Sequence, residues 1–272
     1  MDSEVAIKFA TRLLSAERNE TFGAALVDML RELSDFDYFA VVGYIGEDRP
    51  ILIHDNLREV ASETVVKNFL EGGYLLDAVY VACSASVEPG LYRLVDLAPD
   101  EYYGADFAGT AHYHPCVSPK SGSLAEEIVF ILRITDGIHV VISMMRALGR
   151  DVFSQEEVSD LGTFTPLLNE LAARHWRSLL SPSRRPTAQT SRRGIVLEDA
   201  FRNFQKETLS EREQSVVRLL LRGHSTASAA QVLGITEGTL KVHRKNVYEK
   251  LNINSLGQLF RIFCDQVLTR PD

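Results

Sequence analysis

The sequence predicts two folded domains of different class: an α+β N-terminal domain, an antiparallel sheet flanked by helices, and an all-α C-terminal domain of four helices. Three observations predict this division. Residues 1–176 carry 13 Lys/Arg against 28 Asp/Glu, whereas residues 177–272 carry 16 against 9, so an acidic body bears a basic end. Between them, residues 178–194 combine Pro, Ser and Thr with Arg184, Arg185, Arg192 and Arg193 and few core-forming side chains, the composition of an exposed linker. Finally, strand-like apolar runs flank Asp136-Gly137, while the apolar residues beyond Ser210 recur at helical spacing. The expected spans are 1–180 for the first domain, 181–204 for the linker and a lead-in helix, and 205–272 for the second.

Composition narrows the classes further. A chain of 272 residues with 45% hydrophobic residues is ordinary for a folded protein, and no apolar run approaches the roughly 20 residues of a membrane helix. The acidic start, Met1-Asp2-Ser3-Glu4, lacks the basic-then-apolar order of a secretory signal; a cytoplasmic location with no membrane partner is expected. Cys83, Cys116 and Cys264 are few and far apart, which points to reduced thiols. A basic end suits nucleic acid, although RNA or acidic lipid would answer to the same charge.

The four C-terminal helices can be delimited by their caps. Ser210-Glu-Arg-Glu213 is a capping box, in which serine and glutamate side chains satisfy each other's backbone N–H groups. Val216, Val217, Leu220 and Leu221 give that helix its apolar stripe, and Gly223 ends it. Ser225 caps a second helix over about 226–233, rich in alanine, before Gly234 turns the chain and Ile235 plugs the core. Thr236 caps the third helix, which runs to about Leu251. At about 100° per residue, Leu240, Val247 and Leu251 share the inner face, while Gly238, Lys241, Val242, Lys245 and Asn246 lie on the outer half. That face fits a major groove, its lysines aimed at guanine edges or phosphates and Val242 at a thymine methyl. A second capping box, Ser255-Leu-Gly-Gln258, opens the fourth helix; its Leu256, Leu259, Phe260, Phe263 and Val267 form an apolar surplus that suggests a homodimer contact.

The spaced set Leu209-Ser-Glu-Arg-Glu213, Gly223-His-Ser225, Ala230, Leu233-Gly-Ile235, Thr239-Leu-Lys-Val-His243 and Lys250-Leu251 resembles the LuxR/NarL-type helix-turn-helix. This resemblance implies a DNA-binding transcriptional regulator whose Lys241, Val242 and Lys245 occupy base- and phosphate-contacting positions, with Arg244, Asn246, Thr236 and Thr239 beside them. It also implies that the fourth helix dimerises on double-stranded DNA. Thr226 and Ser228 depart from the usual Asn and Glu, and Ala229 replaces a larger aliphatic residue.

In the N-terminal domain, helices are expected over about 3–16 and 21–34, then a strand over 38–45, a turn at 46–50 and a strand over 51–54. A helix over about 58–71 and a long mixed stretch lead to a strand near 91–95. Strands over 128–134 and 138–144 flank the Asp136-Gly137 hairpin signal, and Ser154-Gln-Glu-Glu157 caps one last helix reaching about Leu180. The order resembles a GAF- or PAS-like sensory fold. Tyr74, Asp77, Tyr80, Tyr92, Tyr102 and Tyr103 place aromatic faces beside carboxylates, a chemistry that holds a small amine, although tyrosines finishing a half-buried surface would look the same. Glu126 and Glu127 fall on opposite faces of their strand; Glu127 is the inward candidate, and an edge with both exposed is the simpler expectation. His112-Tyr-His114-Pro-Cys116 holds ligand-type side chains, yet without a second cluster no metal and no cofactor is expected.

The leading reading is a one-component DNA-binding regulator under small-molecule or dimer-state control. The alternative makes the N-terminal domain a protein-interaction module that binds no metabolite. The single Trp176 lies outside the expected pocket, which disfavours an acyl-homoserine-lactone ligand, and the end of the first strand lacks a phospho-receiver's acidic cluster. No phosphate-cradling glycine loop, His-Glu-x-x-His or nucleophile elbow appears, so no enzyme is expected.

Overall fold

The computed structural model describes residues 3–16, 22–46, 48–57, 63–71, 73–97, 124–177, 180 and 199–268. Two compact units divide the chain: residues 1–59, 83–93 and 124–189 form one, and residues 60–82, 94–123 and 190–272 the other. The division is not a single cut, because part of the first 180 residues groups with the C-terminal helices. The expected linker falls mostly on 181–198, outside the described residues.

The first unit is built on five antiparallel strands. These are β1 (Tyr38–Ile45), β2 (Asp48–Asp55), β3 (Gly90–Arg93), β4 (Glu126–Thr135) and β5 (Ile138–Arg146), in the order β2-β1-β5-β4-β3. The Asp136-Gly137 hairpin forms, with Thr135 opposite Ile138. Gly137 alone takes positive φ and the register shifts between Arg133 and Thr135, so it is a bulged hairpin and not a type I′ turn. Helices α1 (Ser3–Ala16), α2 (Phe22–Leu33), α6 (Gln155–Gly162) and α7 (Thr165–Trp176) share a core with one face of the sheet. Phe22, Leu26 and Leu30 meet Val41, Ile128, Phe130, Ile142 and Trp176 there. Phe22 and Trp176 are edge-on at 5.3 Å, an arrangement that adds about 0.5–1.5 kcal/mol to area burial.

The opposite face is buried as well. Val42, Val129, Ile131, Val141 and Met145 alternate with the core residues and are shielded from water, so these strands are apolar on both sides, as their near-continuous hydrophobic runs require. This corrects the expectation that Glu126 and Glu127 are exposed at an edge. β4 lies between β5 and β3, and both glutamates are buried. Glu126 is satisfied by Arg93 and by the Phe153 N–H at 2.6 Å.

Two further boundaries differ from the sequence expectation. The last helix breaks into α6 and α7 at Thr163-Phe164, because Pro166 has no N–H to continue the ladder and starts a new helix instead. The strand expected near 91–95 ends at Arg93, and Leu94–Leu97 is a helical turn, α5.

The second unit contains α3 (Glu63–Glu71), a 3-10 turn (Gly73–Leu76), the start of α4 (Ala78–Ser84), α5, and four C-terminal helices: α8 (Glu211–Leu221), α9 (Thr226–Leu233), α10 (Glu237–Leu251) and α11 (Leu256–Leu268). Phe201 and Phe204, in and just after a helical turn over 199–203, pack against Phe263 at 4.6 and 5.4 Å. Much of the apolar surplus of α11 is therefore covered within the chain: Leu256, Leu259, Phe260 and Phe263 are all buried, while the side chain of Val267 lies outside the described residues.

Both helix-ending glycines adopt positive φ, +84° at Gly223 and +63° at Gly234, as αL termination demands. Their surroundings differ. A Cβ at Gly234 meets open space, whereas at Gly223 it would lie 2.9 Å from the backbone of Ala78. Gly234→Ala is expected to cost about 1–2 kcal/mol in strain, and Gly223→Ala measurably more. Denaturant midpoints of the C-terminal helices check this; equal losses would show that the Ala78 approach carries no energy.

Candidate nucleic-acid interface

The interface is assembled from caps outward. The Ser210 hydroxyl oxygen accepts from the Glu213 N–H, and a Glu213 carboxylate oxygen accepts from the Ser210 N–H at 2.8 Å, which fixes the start of α8. Ser225 accepts from the Ser228 N–H to open α9. Gly234 then turns the chain, and the Thr236 hydroxyl accepts from the Thr239 N–H at 3.1 Å to open α10. Asn252, at φ +51°, closes it. The Ser255 cap also forms, but Gln258 Oε1 accepts from the Asn254 N–H at 2.9 Å, one residue earlier than a capping box would have it.

With its ends fixed, α10 buries Leu240 and Val247 and presents the other side to solvent. Thr236, Gly238, Thr239, Lys241, Val242, Lys245 and Asn246 are all exposed. Val242 is 58% exposed, although hydrophobic side chains on a folded surface usually find cover. Lys245 lies 3.6 Å from Glu249 one turn on, both well exposed. Arg244 differs from the rest of the expected set: it is half-buried and engaged within the chain. Leu251 and His243 are half-buried at the edge of the inner face.

Several polar contacts here were not anticipated from the sequence. Glu213 is only 5% exposed and receives Lys250 Nζ at 2.6 Å. Burial pushes its pKa up, but the hydrogen bonds from Lys250 and from the N–H and hydroxyl of Ser210 outweigh that and hold it below the usual carboxylate range. Arg212 Nη2 donates to the Leu233 carbonyl at 2.9 Å. Ser228, at a departure from the family pattern, meets His224 Nδ1 at 2.8 Å, and burial, then Arg222, depresses the His224 pKa. A serine or glutamate one turn from its own cap reads as local, so nothing in the sequence pairs Glu213 with a lysine 37 residues later.

The candidate effector residues scatter. Tyr74 is buried and edge-on to Tyr80 at 5.0 Å. Asp77, also buried, accepts from the Val79 N–H at 2.9 Å and so caps α4. Tyr92 donates to the Glu88 carbonyl at 2.7 Å; burial, then Glu88, raises its pKa. Tyr92 pairs with Val129, which puts it on the same sheet face as Glu127, itself 3% exposed. His139, missed by the sequence reading, shares that face: it is opposite Tyr44 and Arg133, and burial, then Arg133, lowers its pKa. Asp77 and Tyr92 thus each hold a backbone group of their own segment. Tyr102, Tyr103, His112, His114 and Cys116 lie outside the described residues. Among the described residues no cluster could hold a metal ion, and no helix is long and apolar enough to cross a membrane. Cys83 is a buried thiol.

Comparison with known proteins agrees with this geometry. Residues 207–263 match the family described as bacterial regulatory proteins, luxR family (GerE). A protein of Aeromonas salmonicida described as an HTH-type transcriptional regulator in the exeN 3′ region is 34% identical over 149 residues, 54% of this chain and 76% of that one. The response regulator TodT of Pseudomonas putida is 43% identical over 56 residues, 21% of this chain and 25% of its own length. Among solved structures, the VqsR LBD domain of Pseudomonas aeruginosa aligns with a TM-score of 0.50 at 16% identity, covering 62% of this chain and 95% of that one. The last shows a shared fold for the sheet domain. The chain belongs to the HTH-type transcriptional regulators, with a DNA-binding domain of the luxR family at its C-terminal end.

Proposed function

We propose that this regulator is one-component: α10 enters the major groove, and a small molecule held by the N-terminal domain biases how the helix is presented. The observation that carries the DNA reading is the exposed ridge of Lys241, Val242, Lys245 and Asn246 on a helix whose opposite side is locked into a core. Lysines there meet guanine edges or phosphates, Val242 meets a thymine methyl, and Asn246 can bond adenine in bidentate fashion. Thr236 and Thr239 sit at the helix start, where hydroxyls reach phosphates. Arg244, turned partly inward, contributes from the flank.

Two copies acting as a homodimer on neighbouring half-sites fit a single groove-reading helix per chain. The antiparallel sheet between helices supports a GAF/PAS-like sensory reading. Its second buried face supports a ligand site, since Glu127 and Tyr92 on that face offer an anion and a π-face for an amine. A ligand acts here only by binding one arrangement better than the other.

The test is selection of genomic fragments by the full chain, with and without a panel of amines, alongside thermal melting. A discrete set of retained fragments, altered by a compound that raises the melting temperature, is expected. Retention of fragments at random overturns the DNA reading; a panel that moves neither fragments nor melting overturns the amine.

A further inference from the structure

Two neighbouring residues at the start of α8 brace the helices that follow, one at the last residue of α9 and the other at the last turn of α10. Arg212 Nη2 holds the Leu233 carbonyl at 2.9 Å, just ahead of the turn that leads into Thr236. The Glu213 carboxylate holds Lys250 Nζ at 2.6 Å, one residue from the helix's last. The same oxygen of Glu213 accepts from the Ser210 N–H at 2.8 Å and from its hydroxyl at 2.9 Å, so the anchor is itself fixed to the cap of α8. From this arrangement we infer that Arg212, Glu213 and Lys250 form a positioning clamp that seats the recognition helix, and that Lys250 holds the helix and not the DNA.

The inference rests on α10 being the helix that enters the groove. A 15-residue helix is about 22 Å long at about 1.5 Å per residue, and its buried residues Leu240 and Val247 lie in its first and last thirds. Apolar contacts resist separation but are non-directional, whereas hydrogen bonds have preferred angles. A directional tie on the last turn of α10, with a second on the residue that ends α9 ahead of it, therefore opposes tilt and roll, the motions that would move base-reading atoms by the fraction of an ångström that matters. Helical phase agrees. Lys250 follows Lys241 by nine residues, about 180° at about 100° each, so the two cations point to opposite sides and cannot both face one groove. Burial of Glu213 adds a reason for the pair to persist, because an uncompensated buried carboxylate is costly.

The test uses the full chain, a duplex it selects from genomic fragments, and a scrambled duplex of equal length. Glu213→Gln/Lys250→Met removes both charges together, so no lone buried charge remains and net charge is unchanged. Affinity for the selected duplex is expected to fall about tenfold, with affinity for the scrambled duplex and the salt slope as in the wild type. Arg212→Ala, at an exposed bond that the fold does not depend on, is expected to lose about threefold on the selected duplex alone. Wild-type discrimination in either variant overturns the clamp. A loss shared by both duplexes with a shallower slope overturns it too, because Lys250 or Arg212 would then be a phosphate ligand. A wild-type chain that selects no duplex overturns the reading of α10 itself, an outcome visible before any variant is made.

Discussion

Alanine at position 146 is expected to lower the stability of the sheet unit by about 3–5 kcal/mol, the usual result of removing one partner from a buried ion pair. Arg146 is 7% exposed and spends its guanidinium fully: on the carbonyls of Asp35, Asp151 and Val152 at 2.9, 3.3 and 3.0 Å, and on Glu157 at 2.6 Å. It also lies 4.0 Å over the Phe153 ring. Alanine leaves several carbonyls and a carboxylate without their donor, beyond the loss of the arginine's packing. The effect has a pH signature. Burial pushes the Glu157 pKa up, but hydrogen bonds from the Ser154 N–H, Arg146, Ser34 and the Ser154 hydroxyl overcome it and bring the group down to about 2. A carboxylate depressed in the folded state contributes stability that is complete above its unfolded pKa of 4.5 and fades as pH falls toward about 2. Without Arg146 the folded pKa rises, so less of that contribution exists to lose and the acid limb shallows. Chemical denaturation between neutral pH and pH 3 measures both; a variant within 1 kcal/mol of the wild type at neutral pH would show that the network is ornamental.

This network also marks where the sequence stops being legible. The strands around Asp136-Gly137, the caps at Ser154, Ser210, Ser225 and Thr236, and the stops at Gly223 and Gly234 could be read because each is a local signal, carried by residues within one turn of one another. Arg146 carries no local signal of its role, and Glu126 and Glu127 looked like an edge, because nothing local says which strands lie on either side. Only the order β2-β1-β5-β4-β3 makes β4 interior and its carboxylates buried, with Glu126 met by Arg93 and the Phe153 N–H. The apolar surplus of α11 looked unspent because nothing local shows that Phe201 and Phe204, which precede α8, pack on Phe263. On the interface, helical phase alone exposed Lys241, Val242, Lys245 and Asn246; Arg244 joined the set beside the family's contact positions, and the structure turns it half inward. For the candidate effector residues, residue type alone does not show that Asp77 and Tyr92 also bond backbone groups.

Removing the two lysines of the exposed ridge is the other large effect to expect. Lys241→Ala/Lys245→Ala should weaken binding to a selected duplex by about 1–3 kcal/mol per side chain, and two such losses at about 1.4 kcal/mol per tenfold amount to about thirtyfold or more. The slope of log affinity against log salt separates the roles, because each lysine that neutralises a phosphate contributes about 0.9 to it. A lysine reading guanine loses selectivity with little change in slope; one on phosphate loses affinity on every duplex and flattens the slope. Glu249 sharpens the measurement. Its exposed pair with Lys245, at 3.6 Å, is worth at most about 1 kcal/mol and competes with DNA for the same ammonium. Glu249→Ala should therefore raise affinity modestly in the wild-type background and not at all once Lys245 is alanine, which ties the gain to that one cation. Gel shifts across a salt series, on the four chains, give every term; unchanged affinity and slope in the double-lysine variant would mean that α10 does not face the groove with this side, whatever else the domain binds.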